Sequence, residues 1–263
     1  MEVVMNKAIG VFDSGVGGLT VLSSLQKQLP NETFIYIGDN KNSPYGDKTK
    51  EQLLSYAKRI IEYFIQKDVK MVTFACNTTT ANVLDDLRVL YPDMLLVGVI
   101  DSTITSYLTT NSKSTLVIAT NATIRCGAYE KEIVLRNKER QVYSLATPCL
   151  VPLIESGEYR KGIHKELINY LAPYQDKVDS IILGCTHYPI IANQIQELYP
   201  MLHQISSSDS IVYEVKELLQ RKRINATTKG AVKIYTTGNV KEFMFSSISF
   251  YDYQNCDVKH LDI

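Results

Sequence analysis

Residues 72–84, VTFACNTTTANVL, and residues 180–192, SIILGCTHYPIIA, share one order of residue types: an apolar run of strand length, a cysteine, polar residues, then an apolar stretch suited to a helix. An ordinary strand exit more often carries Gly, Asp or Pro, so a cysteine followed at once by Asn77-Thr78-Thr79-Thr80 points to chemistry. Upstream of each cysteine lies another strand ending in a polar turn, IGVFDSG at 9–15 and LVIATNAT at 116–123. The spacing nearly repeats when Asp13 is matched with Thr120. This repetition predicts two pseudo-symmetric α/β halves with mainly parallel sheets and the active site in the cleft between them. Each half would present one cysteine at the carboxyl end of its sheet, where ligands of such sheets bind.

The rest of the chain follows the same alternation of apolar runs and helical periods, the mark of a parallel sheet wrapped by helices. Strands are predicted at 8–12, 33–37, 71–75, 95–99, 115–119, 142–145, 180–183 and 232–235. Between Thr49 and Ile65, Leu53, Leu54, Ala57, Ile60, Ile61 and Phe64 fall on one helical face, leaving Lys50, Glu51, Lys58 and Arg59 for water. With no low-complexity linker to divide the chain, the halves are placed by similarity: 1–100 completed by 210–263, and 101–209.

Composition narrows the function. Lys+Arg 28 and Asp+Glu 28 cancel, so no global field draws the chain to nucleic acid or to an anionic membrane. The opening MEVVMNKAIGVFDSG does not read as a secretion peptide, and no run reaches membrane-spanning length. Five cysteines without framework spacing suit a reducing cytoplasm with free thiols. A metal is not expected: there is no C-x-x-C or H-E-x-x-H, and the four histidines are scattered.

Cys126, Cys149 and Cys256 read as inert buried thiols. Cys76 and Cys185 differ because each precedes a predicted helix start, with Asn77 or Thr78 as cap in one case and Pro189 in the first turn in the other. A helix amino terminus favours thiolate, so both are expected to ionise near neutral pH. His187 is either a packed or capping histidine or a partner of Cys185, and Asp13 is either turn chemistry or the matching partner of Cys76. DSGVGG at 13–18 fails as a phosphate loop, having neither the P-loop nor the dinucleotide spacing and no nearby Lys or Arg. A carboxylate held by Ser14 and backbone amides fits it better. SPYGDK at 43–48 is a turn fixed by Pro44 and Gly46, in which Tyr45 supplies a hydroxyl or a wall.

Four stretches, IGVFDSGVGGLTVL, SPYGDKT, FACNTTTAN and ILGCTHYPII, resemble in order and spacing the signature regions of bacterial glutamate racemase, within the cofactor-independent aspartate/glutamate racemase superfamily. Weaker agreement through VGVI, ATNATIRCGAY and LVPLIESG extends the resemblance over nearly the whole chain. It implies interconversion of L- and D-glutamate with no cofactor, Cys76 removing or delivering the α-proton on one face and Cys185 on the other. It further implies that Asp13 and His187 assist these thiols, and that Asp13, Ser14, Tyr45, Gly46, Asn77, Thr78, Thr186 and His187 bind the amino acid. The family's role is to supply D-glutamate for peptidoglycan, and a homodimer is compatible with the resemblance.

Two bases on opposite sides serve both directions of an inversion, which gives the duplicated halves a purpose. A thiol alone is too weak a base for an α-proton, so the site must also stabilise the developing carbanion. Neutral donors such as Asn77, Thr78 and Thr186 would each contribute roughly 3 kcal/mol by analogy with oxyanion-hole donors. Ser102 stands where many members carry proline, and Pro148-Cys149 where many read Cys-Pro, which bears on loop geometry more than on the reaction. The alternatives are a racemase of the same superfamily acting on aspartate or another amino acid, a non-catalytic binder of small carboxylates, and, remotely, a pyridoxal enzyme.

Overall fold

A strand buried on both faces must be apolar throughout, and Ile9, Val11 and Phe12 have no exposure at all. They form β1 (Ile9–Asp13), which pairs in parallel with β2 (Phe34–Gly38) on one side and β3 (Met71–Phe74) on the other. The structure, a computed structural model, describes residues 6–157, 159–254 and 256–263, and of 159–161 the backbone alone. Residues 1–5, part of the opening stretch read above against a secretion peptide, lie outside that range.

The further strands are β4 (Leu96–Gly98), β5 (Ser114–Ala119), β6 (Gln141–Ala146), β7 (Ser180–Gly184), β8 (His203–Ser206), β9 (Val232–Thr236) and β10 (Val258–His260). They make two sheets with every pairing parallel, one in the order β10-β9-β2-β1-β3-β4 and the other β6-β5-β7-β8. The segment β2-β1-β3-β4 thus repeats as β6-β5-β7-β8. The repeat extends to single bonds: Asp39 N–H donates to Asp13 O at 3.0 Å, and Thr147 N–H donates to Ala119 O at 3.0 Å. These bonds make Ser14, rather than Asp13, the counterpart of Thr120, one residue off the pairing read from the sequence, while Cys76 and Cys185 correspond as expected.

Helices α1 (Leu19–Gln28), α2 (Lys50–Gln66), α3 (Asn77–Leu90) and α4 (Val99–Leu108) follow the strands of the first sheet. Next come α5 (Asn121–Cys126), α6 (Ala128–Arg136), α7 (Leu150–Glu155), α8 (Tyr159–Leu171), α9 (Ala192–Leu198), α10 (Ser207–Lys222) and α11 (Val240–Ser247). The α2 helix matches its periodicity: it buries Leu53, Ala57, Ile60, Ile61 and Phe64, and Thr49 with Gln52 closes a capping box at its start. Each sheet is covered on both faces by a buried apolar cluster. Helix α10 leaves the second sheet at β8 yet buries Val212, Val215 and Leu219 against Leu22 and Leu25 of α1, joining the halves.

Strands β8 and β10 were not anticipated. Both lie at sheet edges, where one side of the strand has no neighbour and an apolar run is not required. Among the described residues no helix is long and apolar enough to cross a membrane.

Candidate active site

The carboxyl ends of β1, β3, β5 and β7 converge on a cavity of about 80 Å³ between the two sheets. Cys76 and Cys185 both line it, as do Ser14, Tyr45, Gly46, Asn77, Thr78, Thr186 and His187. Asp13 is the one residue named from the sequence that is absent from the wall. It is fully buried beneath Ser14, accepting from Gly15 N–H at 3.0 Å and from the Thr186 hydroxyl at 3.4 Å. The loop's aspartate thereby occupies an amide that would otherwise be free for an anion.

Cys76 is itself the residue that caps α3, in place of Asn77 or Thr78, and its thiol hydrogen-bonds Ser14 Oγ at 3.6 Å. The expectation that it ionises near neutral pH does not hold. Burial, and then the charge of Asp13, push the thiol up to about 11, outweighing the helix terminus and the bonds from Thr79 and Ser14. Burial likewise raises Asp13 above the usual carboxylate range, opposed by the His187 charge and the Gly15 and Gly18 amides. Cys185 does not start an α-helix: it precedes a 3-10 turn at Tyr188–Ile191 that contains Pro189, and α9 begins only at Ala192.

Nδ1 of His187 lies 3.7 Å from Cys185 Sγ and its Nε2 lies 2.8 Å from Glu155 Oε1. Burial pulls the imidazole down, but the hydrogen bonds and charges of Cys185 and Glu155 more than offset it and raise His187 well above 6.5. In its protonated form the ring donates from both nitrogens, one toward each of these partners. Burial opposes ionisation of Glu155 too, yet the His187 hydrogen bond and charge hold it below the usual carboxylate range. His187 thus lines the cavity wall with a partner on each ring nitrogen.

The polar run after Cys76 is oriented from the other half. Tyr129 of α6 donates to Asn77 Oδ1 at 2.6 Å, and Asn77 Nδ2 donates to Ser207 Oγ at 3.3 Å, leaving one amide hydrogen for a ligand. Thr78 Oγ1 meets Thr120 Oγ1 at 2.8 Å across the cleft. Tyr45 supplies a wall rather than a free hydroxyl, since its O–H donates to Asp39 at 2.5 Å. No Lys or Arg lines the cavity among the described residues.

Glu155, Thr120, Thr147, Val151 and Asn121 were missed from the sequence, although all but Glu155 line the cavity. Thr120 carried a signal, being the residue at the end of β5 where Ser14 follows β1. Glu155 carried only its place in the LVPLIESG stretch, and its bond to His187 from α7 is made through the fold.

The fold and site define a class, that of α/β proteins whose two like sheets each offer a cysteine to one small cavity. The chain belongs to the Asp/Glu/Hydantoin racemase family, which matches over residues 9–215. It is 38% identical over 264 residues to a glutamate racemase of Carboxydothermus hydrogenoformans, covering 98% of each chain. Among solved structures it is similar to a glutamate racemase isoform from Bacillus anthracis, with a TM-score of 0.91, 32% identity and 98% of each chain covered. A glutamate racemase from Francisella tularensis in complex with D-glutamate matches with a TM-score of 0.89 and 32% identity, over 98% of this chain and 99% of that one.

Proposed function

We propose that the protein interconverts L- and D-glutamate by two-base proton transfer, without a cofactor. The observation that carries this reading is that Cys76 and Cys185, corresponding residues of two like sheets, line one cavity. One sulfur, as thiolate, takes the α-proton; the electron pair left on carbon is stabilised through the α-carboxylate; the other thiol delivers its proton to the opposite face. The two sulfurs end with their protons exchanged, and proton exchange with solvent resets them.

The polar neighbours support distinct resting roles. Cys76, pushed up to about 11, rests as the thiol and therefore as the acid. Protonated His187 donates toward Cys185, presenting that sulfur as an acceptor. For the reverse direction Asp13, whose charge reaches Cys76, is the group suited to take the thiol proton. The carboxylates of the substrate would be met by neutral donors, the remaining Asn77 amide hydrogen among them, with His187 as the cation of the site and Thr186, whose hydroxyl proton goes to Asp13, lining the wall.

We further assign the division of the chain into 1–100 with 210–263 and 101–209, supported by the internal repeat, a cytoplasmic location, supported by five cysteines without framework spacing, and supply of D-glutamate for peptidoglycan, which rests on the family resemblance. Incubating the protein with L-glutamate in heavy water, with nothing else added, tests the reaction. Loss of optical activity with deuterium at the α-carbon is expected. Retained chirality and an unlabelled α-carbon would remove the proposal, and the same assay on aspartate reads specificity.

A further inference from the structure

Outside the cavity, one hydroxyl ties the two halves together behind the reacting groups. Thr20, in the first turn of α1, does not line the cavity. Its Oγ1 lies 2.9 Å from the carbonyl oxygen of Thr186, 2.9 Å from that of Gly17 and 2.8 Å from Ser208 Oγ. A threonine hydroxyl has one proton to give and two lone pairs. Ser208 can therefore donate to Thr20 while Thr20 donates to a carbonyl, Thr186 being the one on the other half.

The Thr186 peptide immediately follows Cys185 and precedes His187. It is gripped twice from the first half, at its carbonyl by Thr20 and at its side chain by Asp13. Between these grips the backbone of Gly17 runs so close that a Cβ there would stand under 3.0 Å from His187 and from the Thr186 hydroxyl. Ser208 is buried at the start of α10, the helix that joins the halves. No comparable bond runs from Thr20 to Cys76 or its neighbours in the described contacts.

We propose that Thr20 is a positioning residue: its hydroxyl fixes the Thr186 peptide against the β1–α1 loop and so sets where the Cys185 sulfur stands. This rests on the two-thiol reading above and adds a specific asymmetry to it. Removing the hydroxyl should disturb the proton transfer served by Cys185 more than the one served by Cys76.

Thr20→Val keeps the branched shape and removes the hydrogen bonds, whereas Thr20→Ser keeps the hydroxyl. Solvent-deuterium exchange at the α-carbon is measured separately from D- and L-glutamate, with Cys185→Ser identifying which enantiomer depends on Cys185. T20V is expected to slow exchange from that enantiomer about tenfold and from the other less than about twofold, the scale of one lost hydrogen bond. Turnover should fall with KM nearly unchanged, and T20S should restore most of both. Ser208→Ala, which removes the far end of the relay, should give the same asymmetry in smaller measure, and it serves if T20V does not fold. Even slowing from both enantiomers, or no slowing, in a preparation whose wild type inverts glutamate would overturn the positioning role alone. A wild type that neither inverts nor exchanges glutamate would overturn the two-thiol reading and this one with it.

Discussion

Glu155 Oε1 lies 2.8 Å from His187 Nε2, on the side of the ring away from Cys185. The carboxylate thereby favours the charged imidazole and fixes which nitrogen faces the sulfur. Glu155→Gln retains a hydrogen-bonding side chain but removes the charge. The pH profile of kcat/KM should then lose activity at lower pH on its alkaline side, as His187 moves back toward its ordinary value. An unmoved limb would remove Glu155 from the control of His187.

The same pair predicts a pH dependence of stability. Folding raises His187, so its contribution is complete below about 6.5 and is lost as pH climbs through the raised value. Folding lowers Glu155, so its contribution is complete above about 4.5 and is lost as pH falls through the lowered value. Both are present between those limits. Because the Glu155 side chain is 35% exposed, solvent screens the pair, and the melting temperature of wild type should exceed that of E155Q by only about 2–4 °C at pH 6. That gap should narrow as pH climbs through the raised value of His187; thermal melts of both proteins from pH 6 into the alkaline range decide it.

Cys76→Ser and Cys185→Ser should each reduce racemisation by about 10²–10⁴-fold, the usual worth of a positioned acid or base. Each variant should still exchange the α-proton of one enantiomer, a different one in the two cases. Racemisation near the wild-type rate in either variant would contradict one thiol per face.

Gly17→Ala places a methyl group against His187 and the Thr186 hydroxyl, closer than 3.0 Å. The neighbours are site residues held by hydrogen bonds, so relaxation displaces them. A loss of about 1–3 kcal/mol in stability is expected, with a fall in kcat that exceeds any change at a surface site. Denaturant melts and steady-state rates check the two parts.

Thiol labelling should follow exposure. Cys149 is exposed, whereas Cys76 and Cys185 are buried at 5% and 6% exposure, so iodoacetamide at pH 7.5 should modify Cys149 first. Labelling of Cys76 should climb steeply between pH 9 and about 11, where its thiol ionises. Glutamate should protect both cavity thiols and leave Cys149 unaffected; mass spectrometry of the digested protein reads all three.

The architecture was legible because the interior strands carry unbroken apolar runs: Ile9–Asp13 and Ser180–Gly184 are buried at every position. The edge strand Val258–His260 is intermediate to exposed along its length and leaves no such trace. Cys76, Cys185 and their polar neighbours were legible because they sit at strand ends, where the chain itself brings them to one face. Tyr129 and Thr120 reach Asn77 and Thr78 across the cleft and Glu155 reaches His187 from another element of its own half, pairings in space that no local spacing encodes. The acidity of Cys76 was misjudged for a related reason: the helix terminus is visible in the sequence, while the burial and the Asp13 charge that outweigh it belong to the packed state.

The recurrence of β2-β1-β3-β4 as β6-β5-β7-β8 places chemically unlike walls around the two sulfurs. Enantiomers have equal free energies in water, so kcat/KM must be the same in the forward and reverse directions whatever the two walls are made of. A carboxylate beside one sulfur and an imidazolium beside the other can therefore never bias the final mixture. Their unlikeness can appear only as matched differences in kcat and KM between the two hands, a Haldane balance that every variant of either wall must also obey.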